Sequence, residues 1–203
     1  MNANLLASRI WPASETGSFV RNLVLAVVGS LFVAAAAQIS VPMFPVPMTL
    51  QTLAVLAVGG AYGARLGAAT LGLYALEGAV GLPFFAGGKS GIFDDKLDYF
   101  FPASSMGYVL GFIVSAWLVG RLIESGWGQN FVKAMFAALI GAVVLYVPGL
   151  IWLSIWAAQT QGMEAGAAVS AALSWGLYPF VIGDGLKALL AGLGIGAASR
   201  RTS

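Results

Sequence analysis

VKAMFAALIGAVVLYVPGLIWLSIWA, residues 132–157, holds a single charged side chain, Lys133, at its very start. About 20 apolar residues are enough for a helix to cross a hydrocarbon core of about 30 Å, so this stretch reads as a membrane span. The rest of the chain supports the same reading. Hydrophobic residues make up 59% of it and charged residues only 9%, where a soluble domain carries roughly 25% charged residues. The mean hydropathy is +0.88. There is too little charge to solvate a surface, and the apolar residues come in blocks. The expected fold class is all-α: a polytopic membrane protein whose residues 1–203 form one transmembrane domain, with 1–20 as an N-terminal tail.

Outward from that span, a first apolar block covers about 23–39 and stops before VPMFPVP (41–47), where three prolines cannot continue a helix. A second block at about 49–60 is short for a crossing. A third runs over about 64–80, with Gly59, Gly60 and Gly63 marking the turn between the two. GLPFFAGGKSGIFDDKLDYFF (81–101) is the main loop and the densest in charge. A fourth span lies at about 103–122, the quoted stretch is the fifth, and a sixth lies at about 179–198. Residues 163–176 are Ala-rich and admit two readings, an interfacial helix or an early start to the sixth span. The expectation is six transmembrane helices.

Six crossings sort the charges onto two sides. One receives Arg9, Arg21, Arg65, Arg121, Lys133, Arg200 and Arg201 against Glu15 and Glu124. The other receives Lys89 and Lys96 against Glu77, Asp94, Asp95, Asp98 and Glu164. Because cytoplasmic loops carry the excess of Lys and Arg, both termini are expected in the cytoplasm of a multi-pass protein of the cell (inner) membrane.

After that sorting, Asp184 and Lys187 remain inside the sixth span, three residues apart and on one helical face. A lone charge in a bilayer costs a few kcal/mol, so such residues usually face a cavity or each other. Two readings follow: a polar pocket opening outward, or an ion pair fastening the sixth helix to the bundle. Gln51, beside the proline-rich loop, is expected near such a pocket. Phe85, Tyr108 and Tyr146 belong to a set of aromatics at span ends, most of them belt or core and a few able to wall a ligand site. Ala26, Ser30 and Ala34 recur at four-residue spacing, which makes a smooth face for a partner helix or for packing inside the bundle. Gly59, Gly63, Gly67, Gly107 and Gly111 read as internal packing.

Other chemistry is set aside. Neither Cys nor His occurs, which removes thiol nucleophiles, disulfides, Cys/His metal sites and the commonest general base. Gly88-Lys89-Ser90 lacks the glycine and the preceding strand of a phosphate-binding loop, since Pro83 stands where the glycine belongs. Asp94, Asp95 and Asp98 lack the ordered ligand series of a calcium loop. No Lys/Arg cluster suggests nucleic acid.

The stretch QISVPMFPVPMTLQTLAVLAVGGAYGARLGAATLGLYALEGAVGLPFFAGG, followed in order by GYVLGF, YVPGLIWL and PFVIGDGLKALLA, resembles the BioY family of biotin transport proteins. These are the substrate-binding S components of energy-coupling-factor (ECF) transporters, and the resemblance covers about 23–198. It implies an S-component-like bundle and a biotin site near the outer face. Asp184 and Lys187 match the family's Asp-x-x-Lys, associated with biotin. Gln51, Phe85, Tyr108, Tyr146 and the loop glycines Gly87 and Gly88 would complete the site. The face of Ala26, Ser30 and Ala34 would meet a transmembrane coupling subunit driven by paired ATPases, so no cofactor is expected in this chain itself. The chain departs from the family at PASSMGY and in an insertion-like GIFDDKLDYFF. Within transport, the alternatives are an S component for a different vitamin and a solitary biotin transporter, working as a homo-oligomer. Outside transport they are a structural membrane protein and an intramembrane enzyme using Asp184, which lacks a second carboxylate beside it.

Overall fold

The computed structural model describes residues 5–11, 18–91 and 103–200, apart from the side chains of residues 9, 10 and 200. Glu15, Asp94, Asp95, Lys96, Asp98, Arg201 and most of the insertion-like stretch lie outside the described residues, as do the side chains of Arg9 and Arg200. The helices are α1 (Leu6–Ile10), α2 (Ser18–Gln38), α3 (Gln51–Tyr62), α4 (Ala64–Ala79), α5 (Met106–Glu124), α6 (Phe131–Gln161), α7 (Ala165–Gly176) and α8 (Val181–Arg200). Two short strands, β1 (Ser40–Val41) and β2 (Met48–Thr49), lie between α2 and α3.

The expected six-helix count is not what helix lengths give. Among the described residues there are eight α-helices, of which α2, α5, α6 and α8 are long and apolar enough to cross a membrane. α3 has 12 residues and α4 has 16. At 1.5 Å per residue α3 reaches only about 18 Å. The two meet at Gly63, whose φ of 82° is a conformation that suits glycine. Glu124 Oε1 accepts from Ala64 N at 2.9 Å, satisfying one of the N–H groups that the start of α4 leaves open.

Residues 165–176 are a helix of their own and not an early start to the last span. Gly162 ends α6 in the left-handed region. On the other side Pro179 sits in the turn before Val181, where its missing N–H and its restriction of Tyr178 break the helix. α6 runs for 31 residues, about 46 Å and longer than the hydrocarbon core. α7 folds back along α6 and buries Ala168, Ala172 and Gly176, with Gly176 facing Leu150 and Leu153.

The three-proline stretch is a loop as expected, closed at its base by strand pairing of Ser40 with Thr49 and of Val41 with Met48. Packing differs along the bundle. Near the termini, small residues bring backbones together: a Cβ at Gly120 would overlap the backbone of Gly63 and Ala64, and one at Gly192 the backbone of Met135. Gly59 and Gly67 pack against each other and Ala116, while Gly107 and Gly111 lie against the α6 backbone around Leu145 and Pro148. These are internal contacts, as expected. Arg21, sorted above onto the Lys/Arg-rich side, is 1% exposed. Its Nη2 donates to Ala7 O of α1 at 2.8 Å, while Leu5 and Ala7 are buried.

Candidate functional site

Far from the termini, larger side chains hold the helices apart and enclose a cavity of about 390 Å³. Asp184 lies in the first turn of α8, and its N–H donates to Phe180 O at 2.7 Å. One turn on, Lys187 Nζ donates to Asp184 Oδ1 at 2.8 Å and to Thr49 O at 2.6 Å. Tyr146 of α6 donates its hydroxyl to Asp184 Oδ2 at 2.6 Å. The two charged residues are 5% and 9% exposed, and both line the cavity. The two readings of the pair therefore hold together: it fastens α8 to β2, and it forms the charged part of a pocket. Mutual pairing and two further hydrogen bonds offset the cost of burying each charge.

A second polar chain starts from the side chain of Thr49. Thr49 Oγ1 accepts from Gln51 N and donates to Gln51 Oε1, each at 3.1 Å. Gln51 Nε2 donates to Tyr74 OH at 2.6 Å, and Tyr74 donates to Phe84 O at 3.2 Å. The loop after α4 is thus tied to the bundle through α3 and β2. Rings complete the walls, with Tyr74 edge-on to Phe85 at 5.7 Å and Tyr108 edge-on to Tyr146 at 6.0 Å. Tyr108 also donates to Gly176 O at 2.8 Å, which joins α7 to the site.

Of the predicted site residues, Asp184, Lys187, Gln51, Phe85, Gly87, Tyr108 and Tyr146 all line this one cavity. Gly88 does not. Its φ of 73° serves the loop turn, and its N–H donates to Phe85 O at 3.0 Å. The predicted docking face is also corrected. Ala26, Ser30 and Ala34 are buried inside this chain, and a Cβ at neighbouring Gly29 would meet Thr70 of α4 and Tyr62 of α3. Small residues on α2 serve its approach to its own bundle, the second of the two readings. Sequence reasoning missed the Thr49 carbonyl, Phe180 and the loop residues Phe44 and Val46, which line the cavity too. A backbone acceptor leaves no residue-type signal, although PMTLQ beside three prolines marked the region. Among the described residues no group of three or more His, Cys, Asp or Glu could hold a metal ion.

A narrow polar floor under aromatic walls suits a small amphipathic molecule. Residues 4–203 match the family model described as the BioY family. The chain belongs to the BioY family. The Rhizobium etli biotin transporter BioY is 34% identical over 76% of this chain and 79% of its own length. Biotin transporter BioY2 of Lactococcus lactis subsp. cremoris is 32% identical over 83% and 85%, and the Thermotoga maritima biotin transporter BioY 29% identical over 86% and 93%. Among solved structures, the S component for biotin from an ECF-type ABC transporter superposes with a TM-score of 0.72 at 23% identity, covering 94% of this chain and 96% of the other. That likeness shows a shared fold. Family membership and the four helices long and apolar enough to span a bilayer make this chain a membrane protein.

Proposed function

We propose that this protein takes up biotin, as the membrane-embedded substrate-binding S component of an ECF-type importer. The observation that carries the reading is the bonded Asp184–Lys187 pair in the floor of a ligand-sized cavity, in a family whose Thermotoga maritima and Rhizobium etli members are named biotin transporters. Lys187 has three N–H donors and uses two, on Thr49 O and Asp184 Oδ1. The third is free to meet the carbonyl oxygen of a ureido ring. Each Asp184 oxygen keeps a lone pair beyond those engaged by Lys187 and Tyr146, able to accept from a ureido N–H. Phe85, Tyr108 and Tyr146 would enclose the rest of the ring system. No covalent chemistry and no cofactor in this chain is required.

In this reading the chain is one transmembrane domain with six crossings. α2, α5, α6 and α8 are full spans, and α3 and α4 are shorter ones meeting at Gly63. Charge asymmetry puts both termini in the cytoplasm and the cavity toward the outer face. Transport energy comes from a transmembrane coupling subunit and paired ATPases. A coupling partner would meet α2 on its lipid-side face of Val24, Val27, Val28 and Leu31, which is exposed. Titration of the detergent-solubilised protein with biotin, followed by tryptophan fluorescence, tests the assignment: saturable binding below micromolar biotin is expected, and no binding at micromolar biotin sinks it. Uptake by cells lacking the coupling subunits separates the S component from a solitary transporter.

A further inference from the structure

We infer that Thr52 is a further ligand-reading residue: with the amide of Gln51, its hydroxyl takes the edge of the ligand's cyclic urea that Asp184 and Lys187 leave open. This inference rests on the biotin reading above. Thr52 stands in the first turn of α3, is 7% exposed and lines the cavity. Among the described residues its hydroxyl makes no hydrogen bond, yet it is not one of the sealed polar atoms that lack a partner. Its open side is therefore the cavity. A hydroxyl held in a buried wall with nothing to bond is costly unless something that enters the cavity satisfies it.

Gln51, one residue earlier and 6% exposed, has a donor to spare. Its amide is held in one orientation by partners that each bond one way only. Thr49 Oγ1 accepts from Gln51 N, so its own proton goes to Gln51 Oε1. Tyr74 gives its proton to Phe84 O, so its oxygen accepts from Gln51 Nε2 at 2.6 Å. That uses one of the two amide protons and leaves the other without an acceptor among the described residues. The α3 pair stands beside the α8 pair because Thr49 holds both: its carbonyl accepts from Lys187 Nζ at 2.6 Å, and its hydroxyl bonds Gln51. A cyclic urea carries two like edges, each an N–H next to the shared carbonyl oxygen, whose two lone pairs serve one edge each. One edge needs an acceptor and a donor, which Asp184 and Lys187 supply. The other needs the same, and the Thr52 hydroxyl and the spare Gln51 N–H supply them. Without them the second urea N–H would lose its water on entering the cavity and gain nothing in return. The class recognised is thus a neutral cyclic urea with both N–H groups unsubstituted.

The test measures binding of biotin and of desthiobiotin, which keeps the cyclic urea and lacks the ring sulfur. It uses the detergent-solubilised protein as wild type, Thr52→Val and Thr52→Ser. Thr52→Val keeps the branched shape and removes the hydroxyl, so both ligands are expected to weaken by the same factor, roughly tenfold, for one urea N–H left buried and unpaired. Thr52→Ser keeps the hydroxyl and stays within about threefold of wild type for both. Without ligand, Thr52→Val unfolds at no lower temperature than wild type, because the hydroxyl has no partner to lose among the described residues. Undiminished affinity in Thr52→Val overturns the inference and leaves the biotin reading standing. A loss confined to biotin overturns it too, since that puts the hydroxyl on the sulfur, as does a lower unfolding temperature without ligand, since that makes its role structural. Wild type binding neither ligand overturns the biotin reading and this inference with it.

Discussion

The two ends of the bundle are built from the same helices and differ in what stands between them. Around the termini the buried set is Ala134, Ala137, Ala138, Ala142, Ala188 and Ala191 with Leu5, Leu56, Val119, Ile123 and Ile195, and glycines such as Gly120 and Gly192 let backbones touch. At the far end the buried set includes Tyr74, Phe85, Tyr108, Phe112, Tyr146 and Phe180. Rings and a proline-rich loop prop the helices apart there, and polar groups face the space that results. A membrane offers little hydrophobic drive between helices, so close packing of small residues supplies the cohesion. The termini end is a clamp, and that rigidity lets the other end keep an open cavity.

The sharpest way to break this contrast is to add volume to the clamp. Gly120→Val is expected to destabilise the protein by about 3 kcal/mol or more, because the obstacle is backbone and cannot swing away. Thermal unfolding in detergent measures it, and the cavity-lining change Val109→Leu should cost much less stability while weakening biotin binding. Similar losses for the two would erase the distinction between the ends. Next comes the floor of the cavity: Asp184→Asn removes the carboxylate that Lys187 and Tyr146 share, and biotin affinity should fall by about 2 kcal/mol, roughly thirtyfold. Unchanged affinity in protein that still elutes as a folded species would place the site elsewhere. Tyr146→Phe keeps the ring and deletes one donor, so a loss of about 1 kcal/mol, near fivefold, is expected by the same titration. The smallest effect belongs to Tyr74→Phe. It severs Gln51 from Phe84 O, changes affinity by about 0.5 kcal/mol and speeds amide exchange in residues 82–91, where protection equal to wild type would deny Tyr74 its tethering role.

Much of the site was legible because its signals are local. Asp184 and Lys187 stood out as charges inside an apolar span, and their three-residue spacing already put them on one face. Prolines announced the loop, and Gln51 was placed correctly beside it. The errors share a different cause. In a soluble helix the apolar stripe shows which side faces inward, but on α2 both faces are apolar, so nothing in the sequence says whether Ala26, Ser30 and Ala34 look toward the bundle or toward a partner. Ala168, Ala172 and Gly176 carry the same four-residue signal and pack α7 on α6, though they lay in the stretch whose structure the sequence left open.

By itself, then, the sequence determined that this chain lives in a bilayer, that it is helical, where its helices break at glycine and proline, and that Asp184 and Lys187 lie inside a span, though not that Arg21 is buried too. All of these follow from hydropathy, periodicity and backbone restriction over a few neighbouring residues. Only the tertiary structure decided that Lys187 reaches the Thr49 carbonyl 138 residues away, that Tyr146 donates to Asp184 from another helix, and that the small-residue face of α2 is already occupied. Those choices depend on how each helix is rotated and how far it slides against its neighbours. That is settled by close packing among residues distant in sequence, where lipid-facing and protein-facing apolar side chains look alike.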